Sequence, residues 1–239
     1  MKTWWAAIAA GMVGFAAQAV APGAADATST LPVLLVPGYN GSPADFNVLK
    51  QALAQAGYDE RRMQALELPG SWGSSNVDNA AAIEKASREL FERYHQRVVV
   101  IAHSMGGLAA RYSVKFLDGS RWVDTVITLG TMNRGLPPGG FTSPCSAPSG
   151  FVRYFDEMCA RGHFIRALNS GSSVPGSAVY INIFSPSDEV VPERSAFLPG
   201  AENIDIQGVT HSGPGGYLEN PAVVRVLIEQ LRVGHELHG

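Results

Sequence analysis

Short runs of β-branched residues alternate along the chain with longer stretches in which apolar residues recur at helical spacing. This alternation predicts a parallel β-sheet whose strands are joined by crossover helices. The run over residues 98–102 is wholly apolar, as expected of a central strand that is covered on both faces. The pattern therefore predicts an α/β fold with a doubly wound, mostly parallel sheet.

The same pattern sets the bounds of the predicted elements. The predicted strands cover residues 33–36, 65–68, 98–102, 123–129, 179–184 and 204–207. The predicted helices cover residues 42–57, 77–94, 106–117, 151–168 and 220–231. Residues 135–150 are rich in Gly, Pro and Ser, which predicts a loop.

The first 27 residues have the pattern of a secretory signal peptide. Lys2 precedes an apolar stretch over residues 4–17, and Ala-x-Ala sites predict cleavage after residue 19, 21 or 27. The alternative is an uncleaved membrane anchor, but a membrane-spanning helix needs about 20 apolar residues. We therefore expect one domain over residues 28–239, secreted to the extracellular space or the periplasm.

Charge is low and balanced, with 18 basic residues, 21 acidic residues and a net charge of −3. Because a nucleic-acid-binding protein normally carries a basic patch, we expect no nucleic-acid partner. Charged residues make up 16% of the chain and apolar residues 46%, against about 25% charged residues in an average soluble domain. This composition excludes disorder and predicts a large core, or an apolar surface that meets a lipid–water interface.

Cys145 and Cys159 are the only cysteines in the sequence. In an exported chain an even number of cysteines indicates a disulfide. The alternative is two free buried thiols. In the chain-entropy model, closing the loop between them would stabilise the folded state by about 3 kcal/mol.

The clearest chemical motif is Ala102-His103-Ser104-Met105-Gly106-Gly107, between a predicted strand and a predicted helix. A serine on such a tight strand-to-helix turn presents its hydroxyl above the sheet as a nucleophile, and the N–H of the next residue contributes to an oxyanion hole. These roles fall to Ser104 and Met105. The alternative for Ser104 is an ordinary helix-capping serine.

Three features together resemble the small secreted bacterial lipases and esterases of the α/β-hydrolase fold. They are Val36-Pro37-Gly38-Tyr39-Asn40 after the first strand, the Ser104 motif, and a late Asp…His pair. Pro37 departs from the family, which usually has histidine there. The resemblance covers nearly all of residues 28–239 and implies that Tyr39 is the second oxyanion-hole donor.

A serine nucleophile needs a base and an acid that orients it, in the chain order Ser…Asp…His for this fold. His211 is predicted as the base because it follows the last strand, whereas His163, the main rival, lies in a predicted helix. We expect His103 to point away from the site. Asp188 is predicted as the acid, and the resemblance favours it over the adjacent Glu189.

These residues predict a serine hydrolase that cleaves carboxylic esters of lipids through an acyl-enzyme on Ser104. The alternatives are a phospholipase or acyltransferase with the same triad, a peptidase or amidase, and a binding protein without catalysis. Only residues 131–175 are left to form a lid, so we expect no large cap domain. We expect a monomer. We also expect no cofactor and no metal site, because no His-Glu-x-x-His or Cys-x-x-Cys motif is present.

Overall fold

The computed structural model describes residues 31–69, 75–138, 145 and 156–238, with side chains to residue 232. Its strands are β1 (Val33–Val36), β2 (Met63–Ala65), β3 (Val98–His103), β4 (Val123–Leu129), β5 (Val179–Phe184) and β6 (Glu202–Asp205). They form one six-stranded sheet in the order β2-β1-β3-β4-β5-β6. All neighbouring strands are parallel, and the apolar strand β3 is central, as predicted.

The helices that the structure describes are α1 (Asn47–Gln55), α2 (Asn76–Tyr94), α3 (Met105–Phe116), α4 (His163–Asn169), α5 (Glu193–Ala196) and α6 (Pro221–His238). Short 3-10 segments cover Pro43–Phe46, Glu60–Arg62 and Asp118–Arg121. None of these helices combines the length and apolarity that crossing a membrane requires. The predicted signal peptide lies outside the described residues and stays a prediction.

The sheet is buried on both faces because its strands alternate side chains between two apolar cores. Val33 and Leu35 of β1 join the core formed with α1 and α6, whereas Leu34 and Val36 join the core formed with α2 and α3. Successive strand side chains point to opposite faces, so a fully apolar strand can serve both cores. The α/β fold is therefore doubly wound as predicted, and no large cap domain is present among the described residues.

The predicted helix over residues 151–168 is confirmed over residues 163–168 and interrupted before them in the part that the structure describes. Residues 157–162 form turns, and only α4 is a regular helix there. The Leu136 N–H donates to the Met158 carbonyl at 2.7 Å, and the Ala160 N–H donates to the Leu136 carbonyl at 3.0 Å. Because these backbone groups pair across the fold, they are not available for helical hydrogen bonds.

A disulfide joins Cys145 to Cys159, as the sequence predicts. Cys159 also forms an isolated β-bridge with Leu136. The covalent link and the backbone pairing therefore act at the same place, the base of the loop that follows Leu136.

Other differences from the predicted elements are shifts of boundaries. β2 and β6 each begin two residues earlier than predicted, and α6 continues to His238. The first predicted helix begins as a 3-10 turn before α1. The four-residue helix α5 was not predicted, because a single turn has no measurable hydrophobic period.

The junction between β3 and α3 is packed without spare room. A methyl group on Gly106 would lie 2.3 Å from the Pro37 carbonyl oxygen, and one on Gly107 would lie 2.1 Å from Oγ1 of Thr131. Side chains at these two positions would push α3 away from the strands beside it. Glycine is therefore required here by close approach.

We expect Gly107→Ala to lower the free energy of unfolding by about 1–3 kcal/mol, because the added methyl group overpacks a tight contact. Urea denaturation followed by circular dichroism would measure it. The cost should be smaller in a Thr131→Ala background, which removes the nearest clashing atoms. Equal costs in the two backgrounds would contradict this explanation.

Candidate active site

Ser104 lies between β3 and α3 in a backbone conformation that residues other than glycine rarely adopt. Its φ is 53° and its ψ is −128°, which places strain at this position. The Ser104 N–H donates to the Leu129 carbonyl at 2.8 Å, and the Thr131 hydroxyl donates to the Ser104 carbonyl at 2.9 Å. These two bonds to the end of β4 hold the strained turn in place.

The structure brings Ser104, His211 and Asp188 into one chain of hydrogen bonds. Nε2 of His211 lies 2.9 Å from Oγ of Ser104, and Nδ1 of His211 lies 3.0 Å from Oδ2 of Asp188. The three residues follow β3, β6 and β5, so they meet at the carboxyl edge of the sheet. Since an ionised carboxylate accepts from Nδ1–H, Nε2 is left to accept the serine proton.

Asp188 is buried but is held as a carboxylate. Burial raises the pKa of this group, whereas the His211 ring and the N–H groups of Val191 and Val190 lower it, and the net direction is down. Both N–H groups donate to Oδ1 at 2.8 Å. A negative charge on Asp188 is what orients the ring and stabilises an imidazolium at His211.

Glu189, the alternative acid, has a different position. Its Oε2 accepts the backbone N–H of His211 at 3.1 Å, so it holds the main chain of the base rather than its ring. Two neighbouring carboxylates thus hold His211. Asp188 fixes its ring, and Glu189 fixes its backbone.

The expectation that His103 points away from the site is wrong. Its Nε2–H donates to the His211 carbonyl at 3.1 Å, and the two rings lie 5.0 Å apart between centroids. Burial is the main cause that lowers the pKa of His103 to about 4, and the nearby His211 lowers it further. A neutral ring with its proton on Nε2 is therefore the form that supports the base.

Tyr217 packs against the His211 ring on its buried side. Its ring is fully buried and meets the His211 ring edge-on, at 6.3 Å between centroids. Burial and the Asp188 carboxylate both raise the pKa of Tyr217, so its hydroxyl remains protonated beside that charge. Tyr217 was missed by sequence reasoning, whereas His103 and Glu189 were considered but expected in other roles.

The candidate oxyanion-hole residues lie on the two loops that border Ser104. Met105 is the first residue of α3, and the first N–H groups of a helix have no acceptor within the helix. Tyr39 lines the cavity above Ser104. Its loop approaches closely, because a methyl group on Gly38 would lie 2.9 Å from Cβ of Ser104.

The cavity above Ser104, which we call the main cavity, has a volume of about 410 Å³. Apolar side chains line part of it: Met132, Leu136, Met158 and Val190. Leu136 and Met158 are the residues whose backbones pair at the base of the disulfide loop. The aromatic residues between 141 and 164 are predicted to line an acyl pocket, to form a flap or to pack as the core of a helix. Residues 141, 151, 154 and 155 lie outside the described residues, and Phe164 lines a different cavity.

The rival residues lie elsewhere. His163 and Asp156 line a separate cavity, whose described lining contains no member of the Ser104 hydrogen-bond chain. Asp205, a poorer candidate for the acid by chain order, accepts hydrogen bonds from the Gln207 side chain. Within the described ranges, no cluster of three or more His, Cys, Asp or Glu side chains is arranged to hold a metal ion.

A doubly wound parallel sheet with a serine on a strained strand-to-helix turn, followed in chain order by Asp and His, is the arrangement of α/β hydrolases. The model of the alpha/beta hydrolase family matches residues 33–225. The chain therefore belongs to the alpha/beta hydrolase family.

Several solved structures have the same fold. Lipase B of Aspergillus fumigatus is 20% identical, with a TM-score of 0.73. The match covers 88% of this chain and 55% of that one, so this chain spans about half the length of that lipase. A Bacillus licheniformis lipase in its mature form is 18% identical with a TM-score of 0.70, over 84% of this chain and 92% of that one. A phospholipase of Legionella pneumophila is 14% identical with a TM-score of 0.68, over 87% and 61%.

The buried neutral His103 makes stability depend on pH. Its pKa falls from 6.5 to about 4 on folding. Between these two pH values, His103 is therefore protonated in the unfolded state but neutral in the folded state. Stability is full above pH 6.5 and is lost as the pH falls to 4, by about 3 kcal/mol. We expect His103→Gln, which keeps an N–H donor but does not titrate, to lose less stability over this range.

The measurement is urea denaturation of both proteins at intervals between pH 7.5 and 4. The carboxylate of Asp188 is present in both, so its titration cancels in the difference. Parallel stability curves for the two proteins would show that burial of His103 is not the cause.

Proposed function

We propose that the protein is a secreted serine hydrolase that cleaves carboxylic esters of lipids through an acyl-enzyme on Ser104. The observation that carries the proposal is the continuous chain of hydrogen bonds from Ser104 Oγ through His211 to Asp188. An isolated serine is a weak nucleophile, and a base within hydrogen-bond reach that is oriented by a third group activates it.

In the first half of the reaction, Ser104 Oγ bonds to the acyl carbon while its proton moves to Nε2 of His211. The carbonyl oxygen becomes an oxyanion, stabilised by the N–H groups of Met105 and Tyr39, and each such donor is worth about 3–4 kcal/mol in the transition state. The C–O bond to the alcohol then breaks. The alcohol oxygen takes the proton from Nε2.

In the second half, water repeats the attack on the acyl-serine. His211 takes a proton from water as the oxygen bonds to the acyl carbon, and returns it to Ser104 Oγ as the acid leaves. Asp188 stays ionised throughout and stabilises the imidazolium formed in each half. No redox partner or additional reactant besides water is needed.

Lipid esters are the proposed substrates because the main cavity combines the triad with apolar walls. Tyr39 and Val190 line this cavity and are 36% and 46% exposed, which gives its mouth an apolar rim. Two of the similar structures named above are lipases. The leader pattern of residues 1–27 and the disulfide support secretion.

The second candidate is a phospholipase acting with the same triad, and the similar Legionella pneumophila phospholipase favours it. Both candidates use the same acyl-enzyme and differ in the alcohol that leaves. The choice between them therefore depends on how the site treats a phosphate on that alcohol.

We expect Ser104→Ala to lower kcat for a 4-nitrophenyl ester on the order of 10⁵-fold or more, because the nucleophile is removed. The circular dichroism spectrum should be unchanged. Ser170→Ala, at an exposed position after α4, is the matched control and should keep full activity. A fluorophosphonate probe should label the parent and the control but not Ser104→Ala, and labelling of that variant would overturn the assignment.

A series of esters from acetyl to long acyl chains, with an emulsified triglyceride, tests the lipid part of the proposal. We expect kcat/KM to rise with acyl length, because each methylene buried against the apolar wall contributes up to about 0.8 kcal/mol. A sharp preference for short soluble esters would reject a lipid substrate and leave an esterase.

A further inference from the structure

A second cavity of about 330 Å³ opens beside the main cavity. We call it the side cavity. The two share Asp45, His103, His211 and Ser212. The two cavities therefore adjoin at these residues, beside the base that faces Ser104.

The two cavities differ in chemistry. The main cavity has the apolar wall described above, whereas Leu218 is the single aliphatic side chain in the described lining of the side cavity. Two carboxylates, Asp45 and Glu219, face the side cavity, and within its described lining no lysine or arginine balances them. A ligand bound there would lie next to negative charge and hydrogen-bond acceptors.

The buried ring of His103 adds a further acceptor. Its Nε2–H is committed to the His211 carbonyl, so in the neutral ring Nδ1 has a free lone pair. His103 is 8% exposed and lines both cavities. It thus brings a nearly buried polar ring to the wall that the two cavities share.

The chemistry of the triad determines which half of an ester belongs in the side cavity. The leaving alcohol must take its proton from Nε2 of His211, so it lies on the side of that ring. The loop that carries His211 also supplies Ser212, Gly213 and Glu219 to the side cavity. The acyl chain is left to the apolar wall of the main cavity.

We propose that the side cavity is the subsite for the alcohol part of the ester, and that Asp45 and Glu219 select alcohols by charge. It favours alcohols that carry hydroxyl donors or a positive charge and rejects alcohols that carry phosphate. This inference rests on the proposed function and deepens it, because it excludes anionic phospholipids as preferred substrates.

The test compares four butanoyl esters that differ only in the alcohol: 1-propanol, glycerol, choline and glycerol 3-phosphate. We expect kcat/KM for the glycerol ester, the choline ester or both to exceed that of the propyl ester by at least about fivefold, the value of one net hydrogen bond. The glycerol phosphate ester should be the slowest. A gain for glycerol alone identifies hydroxyl donors as the recognised group, and a gain for choline identifies charge.

Glu219→Gln provides the decisive variant. It should raise kcat/KM for the glycerol phosphate ester about threefold to tenfold, lower that for the choline ester and change that for the propyl ester least, with the differences shrinking in high salt. The matched control is Glu89→Gln, which removes the same charge from the exposed side of α2. Asp45 is a less suitable first variant, because its carboxylate also caps the turn at Ser42.

The failures of the two proposals can be told apart. Equal kcat/KM for the four esters, or a preference for the phosphate ester, would overturn the side-cavity assignment and leave the serine hydrolase standing. Hydrolysis of none of the four, without labelling of Ser104, would overturn both. A change of equal size for all four esters in Glu219→Gln would show a structural role and would also reject charge selection.

Discussion

At Ser104 the chain turns from β3 into α3 through a strained backbone conformation, and contacts on both sides keep it there. The Pro37 carbonyl lies against Gly106, and Thr131 lies against Gly107 while it donates to the Ser104 carbonyl. These contacts link the ends of β1, β3 and β4. The position of the serine hydroxyl is thus fixed by three neighbouring strands, and the packing around the turn offsets the cost of the strain.

The rest of the site follows from a property of parallel sheets, whose carboxyl ends all lie at one edge. Loops after β5 and β6 deliver Asp188 and His211 to the edge where Ser104 already lies. His211 is then restrained at three places: its ring by Asp188, its N–H by Glu189 and its carbonyl by His103. A base held in this way keeps one ring orientation without relying on the substrate.

The sequence was sufficient for the fold and for the residues that the structure brings together at Ser104. Ser104, Asp188 and His211 could be predicted because their roles are tied to chain order and to the ends of strands. The roles of His103, Glu189 and Tyr217 could not, because their contacts with His211 follow from packing in the folded protein and not from chain order or from the end of a strand. The predicted helix over residues 151–168 is interrupted at residues 157–162 for a related reason, since the backbone of Met158 and Ala160 pairs with Leu136.

The disulfide has a consequence for how the protein is produced. The disulfide joins Cys145 to Cys159 next to the backbone pairing of Leu136 and Met158, which line the main cavity, whereas Ser104, Asp188 and His211 lie elsewhere in the chain. In a host compartment that keeps thiols reduced, the hydrogen-bond chain would assemble while the apolar wall depended on backbone pairing alone. Under the proposed function, protein from oxidising and reducing hosts would then share one reaction chemistry but differ in the acyl groups that the cavity accommodates.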